Sequence, residues 1–186
     1  GTTFIDDCQW DRSAEYTPVG TPVWDTTNGV IKCDAVSDAV FTKHSYLDGY
    51  YACRFTTLAA NERIAIVIAT NTLNTATDSG TKYLLYYSSS SNDLRLFRIN
   101  AGTPTTLQTY ATALPAGTYD ITILKVGSLF EVTLNGIKIM SVTDSAPLSV
   151  SGQAGFGVSG AITTGINLSN IQIIAVSPDA TNGIAA

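Results

Sequence analysis

Carboxylates are the first groups in this chain to weigh as catalysts, because two of them flanking a glycosidic bond can hydrolyse it. Such a pair stands about 5–5.5 Å apart for retention and about 6.5–9.5 Å apart for inversion. The three Glu residues, Glu15, Glu62 and Glu131, are far apart in sequence, and none has an Asp two positions later. Asp6 and Asp7 are adjacent, so on a strand they point to opposite faces. The sequence singles out no catalytic pair, although one assembled from distant strands stays open.

Nucleophilic and metal chemistry have few candidates. His44 is the sole imidazole, and no Gly-x-Ser-x-Gly elbow accompanies it, so a Ser–His triad is not indicated. A single His also leaves a zinc site without enough nitrogen ligands. Cys8, Cys33 and Cys53 are odd in number, so at most one internal disulfide can form. Because each lies in or beside an apolar alternating run, we expect three buried, reduced thiols.

A binding surface is better indicated than a catalytic one. If Leu85 and Leu96 face the core, alternation puts three other side chains together on the outer face of that hairpin, namely Tyr86, Arg95 and Phe97. The same parity turns Tyr50 and Arg54 outward on another strand. Aromatic rings and guanidinium groups on a rigid sheet would suit a glycan or a polypeptide. The alternative is that these side chains only cover a half-exposed sheet, since strands are enriched in Tyr and Phe in any case.

A calcium site with oxygen ligands is the one metal site that the sequence suggests. Asp6 and Asp7 lie near the start of the chain and Asn170 lies near its end. If the first and last strands pair, these side chains come close together, and oxygen ligands suit calcium. A structural calcium ion at Asp6, Asp7 and Asn170 is therefore one hypothesis.

Composition limits the class of protein. The chain has 186 residues, of which 45% are hydrophobic and only 13% charged, and its net charge is −5. This length suffices for one buried core, and the scarcity of Glu, Lys and Arg disfavours long helices. No cluster of Lys or Arg could neutralise a run of phosphates, so we expect no nucleic-acid partner. No apolar stretch is long enough to cross a bilayer.

Alternating runs bounded by turn residues predict about ten to thirteen β-strands and hence a sandwich or barrel. The clearest is a hairpin closed by Asn135-Gly136, a two-residue turn that favours positive φ. Its alternation pairs Val132 with Ile139 on the buried face and puts Met140 on the other face. The segment 63–70 is apolar on both faces and is predicted to be a central strand, followed by a polar loop over 71–80.

Several local patterns occur together in a fixed order along nearly the whole chain, from about Phe4 to Val176. The patterns are Phe4-Ile5-Asp6-Asp7, Gly20-Thr21-Pro22-Val23-Trp24, Tyr83-Leu84-Leu85-Tyr86-Tyr87, Leu114-Pro115-Ala116-Gly117, Val132-Thr133-Leu134-Asn135-Gly136, Gly155-Phe156-Gly157 and Leu168-Ser169-Asn170-Ile171. With these patterns in this order, the chain resembles the concanavalin A-like lectin/glucanase superfamily, in its laminin-G-like branch. That resemblance implies an all-β fold, a jelly-roll β-sandwich of two curved antiparallel sheets whose concave face often meets sugars.

Two features of the resemblance bear on chemistry. The catalytic branch of the superfamily carries a Glu-x-Asp-x-Glu or Glu-x-Asp-x-x-Glu strand, which this sequence lacks. Members often have an Asp-Asn pair before the last strand, whose Asp can help to hold calcium. Here Ser169-Asn170 stands in that place, which weakens the calcium hypothesis.

We therefore predict a single jelly-roll domain over residues 1–176, with 177–186 as a tail or linker. The predicted function is a non-catalytic carbohydrate-binding or adhesion module on an extracellular or virion surface, with Tyr50, Arg54, Tyr86, Arg95 and Phe97 as candidate contacts. Its partner would be a glycan or surface polymer, in a homo-oligomer or a larger multidomain chain. One alternative is a structural or assembly domain without a ligand. Another is a glycoside hydrolase acting on a polysaccharide.

Overall fold

The structure, a computed structural model, describes residues 3–176 and consists almost entirely of β-strands, as the alternating sequence requires. The strands outnumber the ten to thirteen predicted from the sequence, and the run over Tyr16–Val19 is one that the alternation did not indicate. A 3₁₀ turn over Ser13–Glu15 interrupts them. The strands are β1 (Thr3–Asp6), β2 (Tyr16–Val19), β3 (Val23–Asp25), β4 (Val30–Cys33), β5 (Ala39–Tyr46), β6 (Gly49–Thr57), β7 (Ile64–Thr70), β8 (Lys82–Ser88), β9 (Asp93–Asn100), β10 (Thr103–Ala111), β11 (Gly117–Val126), β12 (Leu129–Leu134), β13 (Ile137–Thr143), β14 (Gly152–Val158) and β15 (Ile166–Ala175).

Two antiparallel sheets contain these strands. The eight-stranded sheet has the order β13-β12-β11-β6-β15-β4-β3, with β1 added alongside β15. The seven-stranded sheet has the order β10-β9-β8-β7-β14-β5-β2. This is the predicted all-β jelly-roll sandwich, and the fold class is confirmed. The predicted tail, 177–186, lies outside the described residues, so the domain boundary stays a prediction.

The hairpin of β12 and β13 is confirmed, but its predicted register is wrong beyond the turn. Leu134 pairs with Ile137 as predicted, whereas Val132 pairs with Met140 and leaves Ile139 as an extra residue in a β-bulge. A bulge reverses the facing of every side chain beyond it. Met140 is therefore buried, while Ile137 at the turn is 70% exposed.

The main core lies between the sheets and follows from alternation. On β6, Tyr51, Cys53 and Phe55 point inward, and the residues between them point outward. All three cysteines are buried and free, so the prediction of reduced thiols is confirmed. Burial raises the pKa of the Cys8 thiol to about 12 and that of Cys33 still further, which keeps both protonated and unreactive at neutral pH.

A charged pair closes one end of this core. Lys125 is on the inward face of β11 and is fully buried, with its ammonium 5.5 and 5.7 Å from the ring centres of Tyr83 and Phe130. Its Nζ donates to Asp48 Oδ1 at 2.6 Å and to the carbonyl of Gly127 at 3.0 Å. A buried cation needs such partners, because removing it from water costs several kcal/mol.

We predict that Asp48→Asn destabilises the domain by about 3 kcal/mol, because it leaves the Lys125 ammonium buried without its counter-charge. The double variant Asp48→Asn/Lys125→Met should recover most of this loss, since it removes the charge as well. Equilibrium denaturation by urea measures both effects. The matched control is Glu131→Gln, whose partner Lys138 is 53% exposed, so a loss below about 1 kcal/mol is expected. Equal losses for Asp48→Asn and Glu131→Gln would contradict the prediction.

Candidate functional site

A second apolar cluster lies on the outer face of the seven-stranded sheet. β7 is buried along its whole length on both faces, as its sequence predicts. Its outward residues pack with outward residues of β5, β8 and β9, and Leu73 of the following loop packs onto them. Because an apolar sheet face must be covered, this loop, residues 71–81, covers part of the outer face. The buried members of the cluster are Ala39, Phe41, Ala65, Val67, Leu84, Phe97 and Ile99.

Polar contacts hold the 71–81 loop in place. The fully buried Lys82 donates from Nζ to the carbonyl and the side-chain oxygen of Asn74. Thr75 Oγ1 donates to the carbonyl of Val158 at 2.6 Å, and Ser159 Oγ donates to the carbonyl of Thr75 at 3.3 Å. The loop is therefore joined both to β8 and to the end of β14.

A pocket of about 260 Å³ opens where this loop meets the sheet. We call it the loop pocket. Its walls combine an aromatic ring, a cation, an anion and several hydroxyl groups, which is a composition suited to a polar ligand with a flat apolar side. The lining residues are Ser37, Arg63, Thr75, Ala76, Thr77, Asp78, Tyr86, Ser159 and Gly160.

The cation in this pocket is one of the few without an acidic partner. Seven of the ten Lys and Arg side chains form salt bridges, and the other three are Lys43, Arg63 and Lys82. Arg63 donates from Nε to Ser89 Oγ at 3.0 Å. Among residues 3–176, no carboxylate lies within salt-bridge distance of its guanidinium, and no cation lies within that distance of Asp78. Both charged groups are therefore available to a ligand.

The aromatic–arginine patch predicted on β8 and β9 is only partly accessible. Its parity is confirmed, because Leu85 and Leu96 face the core while Tyr86 and Phe97 belong to the outer cluster. Phe97 is only 8% exposed and stacks against Tyr86, with ring centres 5.5 Å apart. It supports the Tyr86 ring and presents no free face of its own, contrary to its predicted role as a surface contact. Of the three predicted residues, Tyr86 alone lines the loop pocket.

Arg95 stands beside Tyr86 in the sheet but is held by its own strand. It forms two hydrogen bonds to the Asp93 carboxylate, at 2.7 and 3.1 Å, and a third to Ser91 Oγ at 2.6 Å. The Asp93 contact, more than any other, raises the pKa of the Arg95 guanidinium. A bidentate pair of this kind fixes the guanidinium plane, so less of it remains for a ligand.

Tyr50 and Arg54 do point outward as predicted, but from the other sheet. They lie on β6 in the eight-stranded sheet, so the candidate contacts are divided between opposite outer faces of the sandwich. Arg54 makes a bidentate pair with Asp120, at 2.8 and 3.0 Å. The arginine contact lowers the pKa of the Asp120 carboxyl.

The predicted calcium ligands are brought to one region because β1 pairs with β15 as expected. Asp6 is buried, however, and accepts hydrogen bonds from the backbone N–H of Cys8 and the hydroxyl of Tyr16, both at 2.8 Å. The exposed Asp7 instead accepts from the N–H of Gln9 at 3.1 Å. In the described part of the chain, no three His, Cys, Asp or Glu side chains group together as a metal site. Asp6 acts as an internal hydrogen-bond acceptor, and the structure gives the calcium hypothesis no further support.

The three Glu residues occupy three separate environments. Glu62 is buried, and its carboxylate accepts hydrogen bonds from the successive backbone N–H groups of Thr163, Thr164 and Gly165, at 2.5 to 3.0 Å. Glu15 pairs with Arg12 and Glu131 pairs with Lys138. Glu62 therefore orders the segment before β15.

Comparisons with known proteins agree on the architecture. No protein-family profile matches this chain, and no curated protein matches it in sequence. Solved structures do match. The carbohydrate-binding module CBM66 from Bacillus subtilis has a TM-score of 0.65 at 17% identity, covering 84% of this chain and 93% of that one. A protein of unknown function with a galectin-like fold, also from B. subtilis, has a TM-score of 0.74 at 12% identity, covering 93% and 96%. The β-glucanase of Bacillus licheniformis has a TM-score of 0.70 at 9% identity, covering 95% and 99%.

The chain thus has the concanavalin A-like lectin/glucanase fold, a jelly-roll sandwich shared by carbohydrate-binding modules and glycoside hydrolases. At these identities the likeness establishes the fold and leaves the activity open. In addition, none of the helical residues described here forms a segment long and apolar enough to cross a membrane.

We predict that Lys82 makes stability depend on pH in the alkaline range. Burial lowers the pKa of Lys82 to about 8 in the folded chain, below the ordinary lysine value near 10.4. Between these pH values the unfolded chain holds more protons, so rising pH favours the folded state. The free energy of unfolding of the wild type, relative to that of Lys82→Met, should rise by about 2 kcal/mol between pH 7 and pH 10. Urea denaturation across this range measures it, and parallel pH profiles would contradict the assignment.

Proposed function

We propose that this domain binds a carbohydrate or another hydroxyl-rich surface polymer at the loop pocket without cleaving it, on an extracellular or virion surface. The observation that carries the proposal is the convergence of Tyr86, Arg63 and Asp78 in that pocket, where neither charge has an opposite charge within salt-bridge distance among residues 3–176. The fold is one in which carbohydrate-binding modules occur, which adds support by analogy. The low charged fraction of 13% is also typical of extracellular β-proteins.

Each wall of the pocket would have a separate task. The half-buried ring of Tyr86, held by Phe97, offers an apolar surface for the C–H face of a sugar ring. The Arg63 guanidinium donates hydrogen bonds in a fixed plane, and the Asp78 carboxylate accepts them. Ser37 and Ser159 add hydroxyl groups. Together they match the alternation of apolar faces and hydroxyl edges in a saccharide.

The proposal of binding without cleavage is supported by the carboxylates of the pocket. Glycoside hydrolysis in most families needs two carboxyl groups on opposite sides of the bond. Asp78 is the one carboxylate among the described residues that line the loop pocket. Glu62 is occupied by three backbone N–H groups, so it does not supply the second.

We predict that Tyr86→Ala and Arg63→Ala each weaken binding at least tenfold, since each removes a central contact worth about 1.4 kcal/mol or more. An array of neutral and acidic polysaccharides would identify a ligand, and titration calorimetry with that ligand would measure the dissociation constant. The matched controls are Tyr110→Ala on β10 and Arg12→Ala near β2, which remove the same side-chain types outside the pocket. Both controls should bind as the wild type does.

Other results would overturn the proposal. Equal binding by all four variants would exclude the loop pocket. A blank array together with a stable trimer in solution would favour the structural or assembly role. Release of reducing sugar from a mixed-linkage β-glucan, lost on a single carboxylate substitution, would make the domain a glycoside hydrolase.

A further inference from the structure

A second groove, of about 210 Å³, lies on the outer face of the eight-stranded sheet, on the opposite side of the sandwich from the loop pocket. We call it the Ala52 groove after the residue at its centre. It crosses β6, β11 and β15. Its lining residues are Tyr50, Ala52, Cys53, Arg54, Asp120, Ile121, Thr122, Asn170 and Gln172.

The register of the strands creates this groove. Ala52 pairs with Thr122 on one side and with Gln172 on the other, so short or flexible side chains form one row across the sheet. The Tyr50 side chain stands on one side of this row, and the paired Arg54 and Asp120 stand on the other. Two tall rows enclosing a low one make a trough that runs across the strands. An extended chain of sugar rings has a suitable shape for it.

A β-bulge adds a polar side chain to the wall. Two residues of β15, Asn170 and Ile171, stand opposite Cys53 alone, and Asn170 has a φ of +48°. The bulge lies where β15 changes its second neighbour from β4 to β1. It turns Asn170 outward, exposed, near Gln172 of the low row, and both side chains line the groove. Bulges often redirect a side chain in this way next to binding sites.

The chemistry of the groove favours an uncharged ligand rich in hydroxyl groups. Arg54 and Asp120 neutralise each other, so the groove carries no net charge from this pair. The amides of Asn170 and Gln172 present donors and acceptors together, which hydroxyl groups satisfy well. The Thr122 hydroxyl beside them is hydrogen-bonded to the Thr133 hydroxyl, so it offers less to a ligand. Tyr50 supplies the apolar face. A peptide adding as a further strand is disfavoured, because β6 already pairs with β11 and β15 on its two edges.

We propose that the Ala52 groove is a second saccharide-binding site, selective for uncharged sugar chains, and that the domain is bivalent. The inference rests on the proposed function only in taking a saccharide as the ligand. Because the two sites lie on opposite outer faces, they engage two chains, or two distant segments of one chain. The domain then bridges polysaccharide strands, and avidity raises its apparent affinity for a polymer well above its affinity for an oligosaccharide.

Filling the groove tests this proposal. Ala52→Phe puts a ring into the trough, and Gln172→Ala removes an amide from its low row with little risk to folding. The matched control is Thr56→Phe, which puts the same ring on the same face of β6, two rows beyond Ala52 and on the far side of Arg54. The probes are an immobilised panel of neutral glucans, mannans, fructans and galactans, and oligosaccharides of the same linkages. Calorimetry gives the stoichiometry, and turbidity reports cross-linking of the soluble polymer.

The expected stoichiometry is two oligosaccharides per wild-type domain and per Thr56→Phe domain, and one per Ala52→Phe domain. Gln172→Ala should weaken one of the two binding events at least tenfold. Cross-linking should disappear in Ala52→Phe and also in Tyr86→Ala, since each keeps one site. Apparent affinity for the immobilised polymer should fall at least tenfold in each.

Different results would overturn the proposal for the Ala52 groove and the proposal for the loop pocket. One oligosaccharide bound by the wild type, lost in Tyr86→Ala and unchanged in Ala52→Phe, would overturn the groove and leave the loop pocket standing. One oligosaccharide lost in Ala52→Phe and unchanged in Tyr86→Ala would support the groove and overturn the loop pocket. A wild type that binds no sugar in the panel would overturn the groove, while acidic polysaccharides on the array still test the pocket.

Discussion

The structure depends on the burial of β7 on both of its faces. A strand in a two-layer sandwich normally has one face in the core and one in water, and its sequence then alternates. The sequence Ile64-Ala65-Ile66-Val67-Ile68 does not alternate, so its outer face needs a cover as much as its inner face. The 71–81 loop supplies part of that cover through Leu73 and is held by Lys82 and Thr75. The loop pocket is the gap left at the edge of this cover, and its position follows from the hydrophobic requirement of one strand.

The fold was predictable from the sequence because period-two alternation is a local signal that repeats in almost every strand. The predictions that were wrong in detail concern places where one extra residue in a strand changes its pairing with the neighbouring strand. In the hairpin, Ile139 and Met140 are both apolar, so hydrophobicity alone does not show which of them faces inward. The bulge turns Met140 inward, and a bulge within an apolar run has no clear sequence pattern from which it could be predicted. The same holds for Asn170, whose outward position depends on the bulge in β15.

The candidate site was less predictable than the fold because its residues come from separate segments. Parity placed Tyr86 on an outer face, and that much was correct. The alternation of side chains along a strand does not show which segments cover the face of a sheet. Phe97 was therefore predicted to be accessible, whereas it is buried. Arg63 stands one residue before β7, and Asp78 lies in a loop that reads only as polar. Leu73, the single large apolar residue within that polar loop, was the one signal that the loop packs back onto the sheet.

The pairing of charges offers a further criterion for choosing a candidate binding residue, and the sequence does not show that pairing. In a chain with so few cations, most are paired with a nearby carboxylate, including the exposed ones, so an arginine without such a partner is unusual. Lys82 lacks a carboxylate partner because its amine holds the loop, and Lys43 donates to the carbonyl of Ala14. Arg63 is different, since it lines an open pocket. In the Ala52 groove, by contrast, Arg54 is matched by Asp120. The two outer faces of the sandwich therefore differ in how their charges are arranged: Arg54 and Asp120 are bound to each other, whereas Arg63 and Asp78 line one pocket without a salt bridge between them.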